Sequence, residues 1–95
     1  MRYQLRSYTV LPGRMEAFLE VWRSGVVPLR ERFGFEVVAA WLAEDADRFV
    51  WVVAHEDFEA AERAYYAAPE RAALDPDPRG LLAHAETTFV RSVTP

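Results

Sequence analysis

Two stretches of this chain are apolar on both sides of any strand they could form. Phe35-Glu36-Val37-Val38-Ala39-Ala40-Trp41-Leu42 and Arg48-Phe49-Val50-Trp51-Val52-Val53-Ala54 are joined by the turn Glu44-Asp45-Ala46-Asp47. A strand with one face in water alternates apolar and polar residues, because successive side chains point to opposite faces. Neither run alternates, so both faces of this hairpin need cover. The rest of the chain supplies enough helix for one face only.

At 95 residues the chain is expected to be a single domain, residues 1–95, with one two-layer core. Hydrophobic residues are 52% of it and aromatics 14%, a surplus that points to association rather than to a larger core. No apolar run reaches membrane-spanning length. Met1-Arg2-Tyr3-Gln4-Leu5-Arg6 resembles neither a signal nor a transit peptide, so a cytoplasmic setting is expected. There is no cysteine, which removes disulfides, thiolate catalysis and sulfur-bound metal. A net charge of −4 argues against nucleic acid, which favours a basic stripe. All eleven basic residues are Arg, and Lys, Asn and Ile are missing too, a pattern of GC-rich coding.

Tyr3 to Leu11 reads as the first strand, ended by Pro12-Gly13. Met15, Phe18, Leu19, Trp22, Val26, Leu29 and Phe33 then form an apolar helical stripe. Gly25 and Pro28 interrupt it, and the spacing predicts a break near Gly25-Val26-Val27, with Gly34 as left-handed cap. After the hairpin, Asp57 is placed to cap a helix over Phe58 to Ala68, with Glu59 and Arg63 paired on its outside. Asp75-Pro76-Asp77-Pro78-Arg79-Gly80 is a loop, Leu81 to Ala85 a brief helical turn, and Thr87 to Val93 the last strand.

Strand, helix, strand, strand, helix, strand is the βαββαβ order of an α+β, ferredoxin-like fold. The expected architecture is a four-stranded antiparallel sheet, its first and third strands central, with both helices on one face. Leaving roughly half a dozen large side chains wet on the other face would forfeit on the order of 10 kcal/mol, at about 1.5–3 kcal/mol each. That matches the whole stability of a small domain. A homodimer with sheets face to face removes the problem, and the space between them becomes a cavity.

Gln4, Arg6 and Tyr8 share one face of the first strand and form a polar wall suited to a carboxylate, enolate or phenolate oxygen. An intersubunit network, with Arg6 meeting Glu86 or another carboxylate, is the alternative. Trp41 and Trp51 suit the body of a flat ligand or the filling of a dimer interface. His55 ends the third strand with the parity of Phe49, Trp51 and Val53, and is the candidate acid/base. The alternative is a strand-end histidine bonded to a nearby carboxylate. That face is expected to line the cavity between sheets, since the smaller Val50, Val52 and Ala54 suit close packing against helices. His84 reads as surface and Trp22 as core. The histidine spacing offers no metal site, scattered glycines no phosphate loop, and no cofactor is expected.

Tyr3-Gln4-Leu5-Arg6-Ser7-Tyr8-Thr9-Val10-Leu11-Pro12-Gly13 resembles the opening signature of the NIPSNAP family, Tyr-x-Leu-Arg-x-Tyr-x-x-x-Pro-Gly. Val27-Pro28-Leu29, Gly34-Phe35, Trp41 and the run Val50 to His55 extend the likeness over nearly the whole chain. The resemblance implies a dimeric α/β-barrel, a superfamily that includes cofactor-independent monooxygenases and muconolactone isomerases. No general reaction is established for the bacterial NIPSNAP-like proteins. Where family members often carry His, Trp and Tyr at alternate positions of the third strand, this chain has Trp51, Val53 and His55. The Asn-Trp-His set of related monooxygenases is excluded by the lack of asparagine.

The first reading is therefore a small homodimer that binds or transforms a small apolar or aromatic metabolite, with a cofactor-independent monooxygenase or isomerase as its sharper form. A noncatalytic dimerisation module is the reading from another class. Sedimentation at micromolar concentration is expected to show a dimer, and a well-folded monomer there would remove the reason for pairing sheets.

Overall fold

The computed structural model describes all residues from 1 to 95. Its sheet has four strands in the order β2-β3-β1-β4, every pair antiparallel. β1 (Arg2–Val10) and β3 (Arg48–His55) are central, as the βαββαβ order requires, and β2 (Glu36–Leu42) and β4 (Leu82–Val90) are the edges. The helices pack on one face, so the α+β ferredoxin-like fold stands.

The helical stripe does not break where expected. α1 (Met15–Val21) runs through one π turn (Trp22–Val26) into α2 (Val27–Arg32). Pro28 has no N–H and its ring crowds the carbonyl four residues back. A widened turn relieves that conflict without ending the helix, and the Val27 N–H donates to the carbonyl of Trp22, five residues earlier. Gly34 follows at φ 85°, in the left-handed cap assigned to it.

α3 (Phe58–Ala67) starts after Asp57, but the Asp57 side chain makes no capping bond. Its backbone N–H donates instead to Nδ1 of His55 at 2.8 Å. Glu59 pairs with Arg2 of β1 at 3.0 Å rather than with Arg63. A short α4 (Pro69–Ala72) and a 3-10 turn (Pro78–Leu81) lead to β4. β4 starts at Leu82, so the expected helical turn over Leu81 to Ala85 is mostly strand. The free edge of β1 pairs with it from Leu82 to Val90, and ladder hydrogen bonds override the helical preference of an alanine-rich segment.

Strand parity is the main correction. Gln4 lies opposite Val53, Arg6 opposite Trp51 and Tyr8 opposite Phe49. This set faces the helices, not a second sheet: Phe18 of α1 and Trp22 of the π turn meet the Phe49 ring at 5.2 and 4.9 Å. The smaller Val50 and Val52 point to the open face, so the size argument is reversed. A helix layer on a pleated sheet leaves a thick gap, and Phe49 and Trp51 fill it where valine or alanine would leave voids. A bulge at Val38 shifts the register of β2, and Trp41 then pairs with Val50 on the open face, at 57% exposure. Trp41 and Trp51 are on opposite sides of the sheet.

Gly34 ties this frame together at the end of β3. A Cβ added there would meet Nε2 of His55 at 3.0 Å, on a backbone at φ 85° that L-residues avoid. Gly34→Ala is expected to cost more than about 1 kcal/mol, read as a lower urea midpoint with an unchanged slope.

Candidate functional site

β1 brings three polar side chains under a helix layer, and the structure shows how they are satisfied there. Arg6 is 7% exposed. Its Nε donates to the Tyr8 hydroxyl at 2.6 Å and one terminal nitrogen to Gln4 Oε1 at 2.6 Å. The same nitrogen reaches Glu62 of α3 at 3.2 Å, and the other reaches the Tyr66 hydroxyl at 3.1 Å. Glu62 also receives Arg30 of α2, so one carboxylate joins a strand and two helices. The alternative partner Glu86 is not used. Burial alone would lower the Arg6 pKa, but Tyr8, Tyr66 and Glu62 around it raise it above the usual arginine range.

Arg30 is 1% exposed, the most deeply placed charge in the protein. Its guanidinium stands 4.0 Å from the centre of the Tyr65 ring and 4.7 Å from that of Phe35. The negative faces of these rings replace part of its lost hydration. Burial pushes the Tyr65 phenol up, partly offset by Arg30 and Arg71. Tyr66 moves the other way. Burial would raise it, yet Arg6, Arg30 and Arg79 hold it below the ordinary tyrosine range against the opposing Glu62.

Beside this network lies a cavity of about 400 Å³ between the sheet and the helices. That is the size of a small-molecule pocket. Tyr8, Phe18, Trp22 and Trp51 form its apolar wall. Arg6, Arg30, Arg71 and Arg79 also line it, and not one carboxylate does. Asp77 meets Arg71 at 3.4 Å but is itself well exposed. Donors outnumber acceptors: Nε of Arg30, Nε of Arg71 and the indole N–H groups of Trp22 and Trp51 are buried with no acceptor in the protein. Such groups are rare in native interiors.

The candidate residues from the sequence thus divide. Arg6, Tyr8 and Trp51 meet at the cavity wall, and Gln4 supports Arg6 from behind. Trp41 is on the far side of the sheet. His55 is away from the cavity, with both ring nitrogens engaged: Nδ1 accepts from the Asp57 N–H, and Nε2 donates to the Phe33 carbonyl at 3.0 Å. It joins the end of β3 to the turns on either side. Arg6, Tyr8 and Trp51 line a cleft within one chain, on the helix-covered face rather than on the face open to a second sheet. Trp22 is only half-buried and His84 reaches the rim. No cluster of three or more His, Cys, Asp or Glu side chains is placed to hold a metal ion.

Sequence reasoning missed Arg30, Glu62, Tyr66, Arg71 and Arg79. A signal for the first two exists. Arg30 falls on the helical face of Val26 and Phe33, and Glu62 on that of Phe58 and Tyr65, so each helix carries one charge at a core position, of opposite sign. Removing the shared carboxylate leaves two buried cations without a counter-charge. Glu62→Gln is therefore expected to cost about 2–3 kcal/mol in thermal unfolding, below the ~3–5 kcal/mol of a fully buried pair because Glu62 is partly exposed. Adding Arg30→Met should recover part of that loss.

Comparison with known proteins gives a consistent result. Among solved structures, an uncharacterized NIPSNAP domain protein from Burkholderia xenovorans is similar at TM-score 0.83 and 20% identity, covering 97% of this chain and 94% of its own. A NIPSNAP family protein of unknown function from Agrobacterium tumefaciens is similar at TM-score 0.83 and 21% identity, covering 95% of this chain and 86% of its own. A putative antibiotic biosynthesis monooxygenase from Nitrosomonas europaea shares the fold at TM-score 0.74 and 16% identity, covering 99% and 100%. A search of curated proteins found no match. The NIPSNAP family itself matches residues 3–93, and this chain belongs to that family.

Proposed function

We propose that the cleft between sheet and helices binds a small organic anion with an apolar or aromatic body. The observation that carries this reading is the surplus of positive charge: four arginines line the cavity and no carboxylate does. A carboxylate or enolate oxygen supplies what the wall lacks, and the planar guanidinium fork suits it. Trp22, Trp51 and Phe18 present ring faces and edges for the ligand body. An isomerase or a cofactor-independent monooxygenase acting on the bound molecule is the sharper form of this reading. Likeness to the putative monooxygenase from N. europaea supports the fold alone.

Self-association remains part of this reading. Trp41 on the open face is 57% exposed, beside half-buried Val50, Val52 and Leu5, and a second copy placing its sheet there would bury them. The cavity does not need that copy, because its named walls come from one chain.

Cinnamate and its uncharged amide are suitable probes. Cinnamate is expected to raise the thermal midpoint by mass action, and cinnamamide is not. Arg71→Gln, which removes a cation whose one salt bridge is to exposed Asp77, should weaken cinnamate about tenfold with little change in fold, the loss of one charge-assisted hydrogen bond. Equal binding of acid and amide, or an Arg71→Gln variant that binds normally, would refute the anion site.

A further inference from the structure

Tyr65 and Tyr66 are consecutive on α3, so their side chains leave the helix about 100° apart. Both line the cavity, Tyr65 at 1% exposure with its ring in the core and Tyr66 only partly covered. The Tyr66 hydroxyl accepts from Arg6 at 3.1 Å and from Arg30 at 3.4 Å. A phenol oxygen has two acceptor positions and one hydrogen to give. Both acceptor positions are taken by cations, while no acceptor in the protein takes the hydrogen. The guanidinium of Arg79 lies 4.7 Å from the ring centre and that of Arg71 5.4 Å. Glu62, which shares Arg6 and Arg30, is the opposing anion, and four guanidinium groups on the ring side and at the oxygen outweigh it, a setting that favours the phenolate.

We propose that Tyr66 is the proton-transferring catalytic residue of this cavity, interconverting the keto and enol forms of an aromatic 2-oxo acid. The inference rests on the anion-binding reading above and adds a reaction to it. The Tyr66 phenolate takes a proton from the carbon beside the ketone. The C–H electron pair becomes the new C=C bond, and the C=O π pair moves onto oxygen. Arg71 and Arg79, on the cavity wall, stabilise that oxyanion. The Tyr66 phenol then returns the proton to the oxygen, giving the enol. Atoms and electrons balance with no oxidant, reductant or second substrate. A base serves best when its pKa lies near the working pH, and the lowered pKa of Tyr66 moves it in that direction.

The test uses phenylpyruvate, whose keto and enol forms differ in near-ultraviolet absorbance. The wild-type protein is expected to accelerate their interconversion above buffer. Tyr66→Phe should lower kcat about 100-fold or more, the usual weight of general acid–base catalysis, while cinnamate affinity changes less than about threefold. For the wild type, the rate toward the enol should fall as pH drops through the Tyr66 ionisation, since the phenolate is the active form. The near-ultraviolet tyrosinate titration should show a step at that same pH, absent from Tyr66→Phe. This wild-type comparison stands even if the variant folds poorly. Phenylpyruvate binding without acceleration, an undiminished Tyr66→Phe rate, or an acid limb apart from the tyrosinate step would each overturn the inference and leave the anion site standing. If neither phenylpyruvate nor cinnamate shifts the thermal midpoint, the anion site fails, and the role of Tyr66 with it.

Discussion

Glu62 accepts Arg6 from the central strand and Arg30 from α2, and much of the interior is arranged around that double ion pair. A charge taken out of water must find a counter-charge in the interior, or it destabilises the fold by several kcal/mol. Here two cations share one anion across three elements. The bridge sets how far α2 and α3 stand from β1 and lets a polar strand face lie under helices. Without it, Gln4, Arg6 and Tyr8 would belong on a wet surface.

The same arrangement explains why there is a cavity at all. Arg6, Arg30, Arg71 and Arg79 repel one another, and Glu62 with the exposed Asp77 does not neutralise them. Like charges with few counter-ions do not pack to crystal density as aliphatic side chains do. Aromatic rings partly compensate. Arg30 rests against Tyr65 and Phe35, and Arg79 against Tyr66, so the wall is both cationic and flat. A ligand with a ring and an acidic oxygen complements both properties, and Tyr66 stands where the two meet.

Much of the fold was legible in the residues. The strand and helix order, the central places of β1 and β3, the Gly34 cap and the surplus of apolar surface follow from periodicity, turn chemistry and composition. Other features were not. The π turn depends on whether the packing of Val26 and Leu29 outweighs the conflict at Pro28, which local propensity does not report. Leu82 to Ala85 became strand because β1 had an edge to fill. His55 stands at a strand end with cavity-side parity, yet its ring is held by Asp57 and Phe33, neighbours that its position in the sequence does not reveal. The charged helix positions Arg30 and Glu62 were visible as exceptions to apolar stripes, but their meeting needed three elements in register.

By itself, then, the amino-acid order determined the elements, their antiparallel pairing and which side chains travel together: Arg6 with Tyr8, Trp51 with Phe49. Only the tertiary structure decided which of the two faces the helices cover, and so whether those groups line a cleft within the chain or a seam between copies. The reason lies in the pleat. A strand apolar on both sides gives the same two-residue period whichever way it is turned, and the choice falls to the volume of the helix layer and the charges it carries.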